Sequence, residues 1–370
     1  MNWKKAVGVM LPLFIVSMLL VEFNRRPYVC NDAMFRGNLA RTGEYPDGGP
    51  ERFAGLAWKF KTEGVVISSP VVSGGVVYFG SYDKHLYAVD IETGQKKWGF
   101  KTGGAVLSSP AVYGRTVYFG CYDRYFYAVD IETGREKWRF KTRSEVISSP
   151  AISDGIVYFV SLGGYLYAVD IRNGLEKWKF KAEGDVFSSP AISDGIAYFG
   201  SYGWYLYAVD IRNGKEKWKF RTRGAVASSP AISDGIAYFG SYGRCLYAVD
   251  IETGKQKWKF ETERGVFSSP AVSGGTVYFG CNGRCFYAVD ARTGQEKWQF
   301  WTEDAVTSSP AISSGTVYFG TESGHLYAVD SKTGQEKWNF EVEDGIASSP
   351  AILDGMVYFG SYDGFLYAVK

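Results

Sequence analysis

Histidine is nearly absent from this chain: His85 and His325 are the only two among 370 residues. Most histidine-based catalysis and metal binding therefore lacks its side chains. Cysteine is sparse too, at Cys30, Cys121, Cys245, Cys281 and Cys285, with no C-x-x-C pair and no two adjacent. A zinc ribbon and a thioredoxin-type redox motif are thereby excluded. Neither sign of charge is in excess, the formal net charge being +2, so no global field points to nucleic acid or an acidic substrate. What is abundant is glycine, at 45 residues, and aromatics, at 17%. Together they point to strands joined by tight turns.

Those residues recur. Trp58, Trp98, Trp138, Trp178, Trp218, Trp258, Trp298 and Trp338 stand 40 residues apart, and Ser-Ser-Pro occurs at 68–70 and every 40 residues through 348–350. Tyr-Phe from Tyr78 and Tyr-Ala-Val from Tyr87 each occur eight times, and residues 188–203 and 228–243 are identical. A fixed period of this length marks stacked supersecondary units. One unit reads as four short strands: A from Pro70, B over Val76–Gly80, C over Leu86–Val89, and D carrying Lys97-Trp98-Gly99-Phe100. Gly-Gly in the first unit and Asp-Gly in four others give the A–B hairpin its turn. Strands B and C are apolar at consecutive positions, as in sheets covered on both faces, which the blades of a propeller are. The last unit, ending at Lys370, has no strand D, whereas Leu56–Phe60 is a strand D with no A, B or C before it. The sequence thus predicts an all-β, eight-bladed β-propeller of four-stranded blades over 53–370, closed by an N-terminal outer strand that removes two open sheet edges.

The N-terminus differs. Lys4 and Lys5 precede the uncharged apolar run Ala6–Val21, the pattern of an exported protein's leader. Residues 1–23 read as one hydrophobic helix serving as an uncleaved signal anchor. A cleaved signal peptide is the alternative, but Glu22-Phe23-Asn24-Arg25-Arg26 offers no small-residue cleavage site. Cys30 behind Pro27-Tyr28-Val29 is not in a lipobox context. Either way the propeller is expected outside the cytoplasm, periplasmic or extracellular. Residues 24–52 form a polar connector, expected to pack irregularly on the propeller rather than to form a site.

The succession Ser-Ser-Pro-Ala, Val-Tyr-Phe-Gly, Leu-Tyr-Ala-Val-Asp, Thr-Gly, Glu-Lys-Trp, as at 308–338, resembles the pyrroloquinoline-quinone (PQQ)-like propeller repeat. Phe35-Arg36-Gly37-Asn38 with Arg41-Thr42-Gly43 looks like the lead-in of such proteins. The resemblance implies that the eight repeat tryptophans dock against neighbouring blades as a structural girdle. It also offers two kinds of relative: quinoprotein dehydrogenases, with quinone and calcium at the axis, and non-catalytic, BamB-like members. The dehydrogenases draw ligands, a catalytic Asp and often an adjacent cysteine pair from insertions between strands. This chain keeps strict 40-residue spacing and has no such pair. It therefore reads as no enzyme, with no cofactor or metal.

Repeated residues read as structural: the Ser-Ser-Pro hydroxyls as partners of backbone groups, the Asp90-type residues as turn formers, and Lys97 with its six equivalents as solvated edge charges. Cys281 and Cys285 flank one hairpin turn and could bridge in an oxidising compartment. Function is sought where copies differ. The D–A and B–C connections share one face of a propeller, and the candidate binding face comprises His85, Tyr125, Arg143, Tyr165, Trp204, Tyr205, Arg223, Arg264, Arg284 and His325, with an acidic arc of Glu303, Asp304, Glu343 and Asp344. Aromatic and arginine-rich surfaces suit protein recognition. The leading expectation is a non-catalytic scaffold for envelope proteins or peptides, monomeric, held at the membrane by its N-terminal helix and binding no nucleic acid. A carbohydrate- or ligand-sensing propeller is the first alternative and a PQQ-dependent dehydrogenase the second.

Overall fold

The computed structural model describes residues 32–46 and 48–370. The apolar run, its anchor or signal reading and Cys30 lie outside those residues. Among the described residues no helix is long and apolar enough to cross a membrane.

In the first blade, strand A is Val71–Ser73, B is Val76–Ser81, C is His85–Asp90 and D is Lys96–Lys101. The A–B turn has two residues, and both take left-handed backbone where it reads Asp-Gly (Asp154 φ 52°, Gly155 φ 74°). That is the type I′ geometry whose twist matches the strands it joins. Every residue of Val76–Ser81 is buried, as its unbroken apolar run requires. The described chain forms eight four-stranded sheets, each hydrogen-bonded in the order A-B-C-D. In the eighth, the outer strand is Leu56–Lys61, with Trp58 opposite Ala368 and Phe60 opposite Leu366.

Three belts tie the blades into a ring. Innermost, the backbone N–H of the second serine of Ser-Ser-Pro donates to the hydroxyl of its counterpart one blade on, at seven junctions. The first serine accepts from strand B of its own blade, as Gly80 N–H to Ser68 Oγ at 3.0 Å. Between blades, Gly80 lets the next connection approach; a Cβ there would lie 2.4 Å from Val106. The third blade has Val160 instead, and the bond that other junctions make to the residue-81 carbonyl moves one residue on, to Leu162.

Outermost is the tryptophan girdle, and it forms as the repeat implies. The indole Nε1 of Trp58, Trp98, Trp138, Trp178, Trp218, Trp258 and Trp298 donates to a carbonyl 33 residues on, in the next blade, at 2.8–3.1 Å. The acceptors are Ile91, Ile131, Ile171, Ile211, Ile251, Ala291 and Ser331, each directly after the aspartate that ends strand C. Trp338 bonds Pro50 of the connector instead. The glycine of each C–D turn sits over the preceding blade's indole: a Cβ on Gly174 would lie 2.8 Å from Trp138, and one on Gly214 2.6 Å from Trp178. Seven of these tryptophans thus tie one blade's outer strand to the next blade, and Trp338 ties its blade to the connector.

The seven lysines read as solvated edge charges are engaged: each faces the aspartate ending strand C of its own blade at 2.9–3.9 Å. The C–D turn folds strand D back beside that carboxylate, a proximity that sequence spacing hides. In the closing blade the aspartate position is Lys370 and the lysine position Ala57, so no like-charged pair arises at the seam. The backbone and side chain of Thr133 hold Asp130 down at about 2, and the Arg212 fork does the same for Asp210, also at about 2. A carboxylate held below its ordinary value stabilises the fold fully above that value and stops doing so as it is protonated. The thermal midpoint should therefore be flat above about pH 5 and fall steadily from about pH 4 towards pH 2. A midpoint constant across that range in calorimetry would refute the role of these turns.

The connector departs most from expectation. It packs on the propeller, but from within: residues 33–45 run inside the axial channel, and Pro50 reaches the outer tryptophan girdle. Strand A is each blade's inner edge, so its outward N–H groups need partners. The connector supplies them: Ile192, Ile232, Val272 and Ile312 donate to Leu39, Ala40, Thr42 and Gly43, each at 2.8 Å, and Val112 exchanges both bonds with Ala33. Gly114 in one A–B turn donates to Asp32 Oδ1, and Gly355 in another to the Gly48 carbonyl. The plug therefore enters from the A–B/C–D face.

Candidate functional site

The D–A/B–C face carries the residues singled out above, but its geometry divides them. Those equivalent to residue 85 open strand C, and strand D folds over several of them. Arg139 lies 4.9 Å from the ring of Tyr125 and Lys219 4.7 Å from that of Tyr205. Tyr165 has Arg143 on its ring, with a guanidinium N–H to its hydroxyl at 2.9 Å. His85 bonds Asp83 and stacks on Tyr87 at 5.5 Å, and His325 stacks on Tyr327 at 5.6 Å. These side chains form the outer rim and are engaged within their own blades or, for Tyr165, also by Arg143 of the connection from the preceding blade. Arg223 faces Glu261 at 3.3 Å. Trp204 is different: it is 46% exposed on a left-handed backbone (φ 71°), where three other copies have glycine and the other four have Lys84, Arg124, Arg244 and Arg284. Glu303 and Glu343 are exposed, as are Arg264 and Arg284.

The positions nearer the axis were not legible as a site. Residue 82 opens the B–C turn and is Tyr in five blades: Tyr82, Tyr122, Tyr202, Tyr242 and Tyr362. Residue 67 precedes Ser-Ser-Pro and is apolar in seven. The ring brings these two positions together as a collar around the channel mouth. Phe187 and Tyr202 are 4.6 Å apart, the hydroxyls of Tyr202 and Tyr242 meet at 2.6 Å, and Phe267 is edge-on to Tyr242 at 4.1 Å. Turn tyrosines repeated where no strand partner needs them were the available signal.

Below the collar the channel is filled by the plug. Arg41, fully buried, donates to the carbonyls of Pro190 (2.6 Å), Ser149 (2.9 Å), Pro150 and Phe35 (3.1 Å each). Arg36, 2% exposed, donates to the Pro270 carbonyl. Burial pulls both guanidiniums down to about 9, for Arg41 with help from its like-charged neighbour Arg36. Both remain cationic at neutral pH. Among the described residues no group of three or more His, Cys, Asp or Glu could hold a metal ion. The quinone and calcium of dehydrogenase propellers do not fit this axis: its space holds the chain's own side chains, and two guanidiniums repel a divalent cation that needs oxygen ligands. Cys281 and Cys285, facing across their hairpin (N–H to C=O, 3.0 Å), are free, buried thiols in this structure. Burial pushes both up, which disfavours the thiolate.

Sequence comparison decides the family. Residues 54–124, 107–225, 183–300 and 282–370 match the family described as outer membrane protein assembly factor BamB. The chain belongs to the BamB family. No curated protein sequence matches it. Among solved structures it resembles BamB from Moraxella catarrhalis, with TM-score 0.75 and 16% identity over 85% of this chain and 99% of that one. The computationally designed Ika8 protein gives TM-score 0.76 and 21% identity over 84% and 98%. Quinohemoprotein alcohol dehydrogenase from Comamonas testosteroni gives TM-score 0.79 and 15% identity over 95% and 82%. At these identities the likeness is one of fold, which the BamB family shares with enzymes and a designed protein alike.

Proposed function

We propose that this BamB-family chain is a non-catalytic, extracytoplasmic scaffold at the cell envelope that holds a protein partner on its D–A/B–C face. The observation that carries this reading is the asymmetry of the channel. One end is closed by the connector, whose Arg36 and Arg41 occupy the axis. The other carries an aromatic collar, with Tyr82 48% and Tyr122 43% exposed. A filled axis suits a scaffold better than a cofactor enzyme. The clefts on the opposite face, such as the one of about 430 Å³ between Asp154 and Lys177, are lined by repeat positions and carry no singular chemistry. Because residue 32 sits at an A–B turn, an anchor in residues 1–23 would approach from that side, with the collar turned away from the membrane.

The test is a photoreactive amino acid placed at Tyr202 or Tyr242, and as control at Leu175, 63% exposed in a C–D turn. In native membranes the first two positions should give a discrete protein adduct and Leu175 none. Equal adducts from all three positions, or none, refute the docking face. Dye reduction after adding PQQ and calcium should stay at background; turnover would restore the dehydrogenase reading.

A further inference from the structure

The collar is not uniform. On blades four to six it is aromatic, through Phe187, Tyr202, Tyr242 and Phe267. On blade seven the same two positions are Thr307 and Glu322, which hydrogen-bond to each other. Glu322 adjoins blade eight: a Cβ on Gly345 would lie 2.8 Å from both the Glu322 carbonyl and the Tyr362 ring. Burial pushes the Tyr362 phenol up, with the neighbouring Glu322 and Asp344 adding to it. Exposed Glu303 and Glu343 extend the same negative sector.

Ion pairing on this face is uneven: Glu63, Asp185 and Glu263 make no ion pair among the described residues, and the densest unpaired group lies on blades seven and eight. Arg124 pairs with Glu145, Lys219 with Glu183 and Arg223 with Glu261. Among the described residues Glu303, Asp304, Glu322, Glu343 and Asp344 form no ion pair, and Arg264 and Arg284 on the adjoining blade do not reach them. An apolar arc next to carboxylates without cations complements a ligand that is apolar at one point and cationic at another.

We propose that the channel mouth docks a protein segment presenting an apolar side chain together with a lysine or arginine, the apolar group on the Phe187–Tyr202–Tyr242–Phe267 arc and the cation between Glu322, Asp344 and the Tyr362 ring. This rests on the reading of the face as a docking surface and adds the partner's chemistry to it. Carboxylates flanking an aromatic face attract a cation by charge and by the ring quadrupole together. The collar tyrosines are wide contact surfaces with few rotamers to immobilise.

The test uses the full-length protein and three fluorescein-labelled octapeptides: alternating lysine and leucine, glutamate replacing lysine, and glycine replacing leucine. Fluorescence anisotropy should show binding of the lysine–leucine peptide alone, weakening as salt rises. Glu322→Gln with Asp344→Asn should weaken it about tenfold, as should Tyr202→Ala with Tyr242→Ala. Glu303→Gln with Glu343→Gln, both exposed and harmless to folding, should weaken it about threefold. Circular dichroism identifies any variant that fails to fold. Equal binding of the glutamate peptide, binding of none, or binding indifferent to the folded variants overturns the inference. Cross-links from Tyr202 without any lysine preference would overturn it while leaving the docking face standing.

Discussion

Deleting residues 53–62 is expected to abolish the cooperative thermal transition of the ring, or to lower its midpoint by more than about 10 °C. The strand Leu56–Lys61 touches two blades at once. It pairs with the last strand through Trp58, Lys59, Phe60 and Lys61, and docks on the first, with Trp58 Nε1 donating to the Ile91 carbonyl at 2.8 Å and Phe60 edge-on to Tyr87 at 5.3 Å. Removing it opens the edge of Phe365–Val369 and exposes Phe79 and Tyr87. Two aromatic side chains at about 1.5–3 kcal/mol each, and a row of edge hydrogen bonds at about 1 kcal/mol each, approach the net stability of an entire domain, about 5–15 kcal/mol. A circular dichroism melt reads the outcome, and a synthetic peptide of residues 53–62 added in trans should restore part of it. An unchanged midpoint would falsify closure by this strand.

Replacing Arg41 by Met should cost about 3 kcal/mol or more, although methionine nearly fills the space. Four carbonyls from three parts of the chain converge on this guanidinium, and without a donor each remains buried and unpaired. Arg41→Lys should fall between, since an ammonium cannot match a planar fork. Lys215→Met, exposed in a C–D turn, should change stability by less than about 0.5 kcal/mol. Hydrogen exchange gives a second readout. The amides of Ile192, Ile232, Val272 and Ile312, bonded to the plug, should lose protection in Arg41→Met while those of strand B keep theirs. If those four amides exchange freely in the unmodified protein, the plug is not seated.

The blade was legible because its signals are local. Asp-Gly at 154–155 demands a left-handed turn, and the unbroken Val76–Phe79 run demands cover on both faces. Counting strands located the seam at Leu56 and Val369, since an unpaired edge at each end has one economical solution. The candidate face was legible only as a set of connections. Attention to the most variable columns picked Tyr125, Tyr165 and Tyr205, which strand D partly covers, and passed over Tyr202 and Tyr242, in the column three residues earlier and nearer the axis. Cys281 and Cys285, read as a possible bridge, face each other across their hairpin as free thiols in this structure. The repeat lysines were underestimated because their partners lie seven residues back across a turn.

The sequence by itself determined the repeat unit, the number of blades, the closing strand and the face on which copies differ. Each follows from hydrogen bonding and burial within about 40 residues, which periodicity records directly. Tertiary structure alone decided that the connector fills the axis and that tyrosines from different blades meet at its mouth. Arg41 and Pro190 are 149 residues apart, and Arg36 and Pro270 are 234. No local pattern encodes such a meeting; it exists because eight inner strand edges, once closed into a ring, leave unpaired N–H groups around a channel that a segment of the same chain can satisfy.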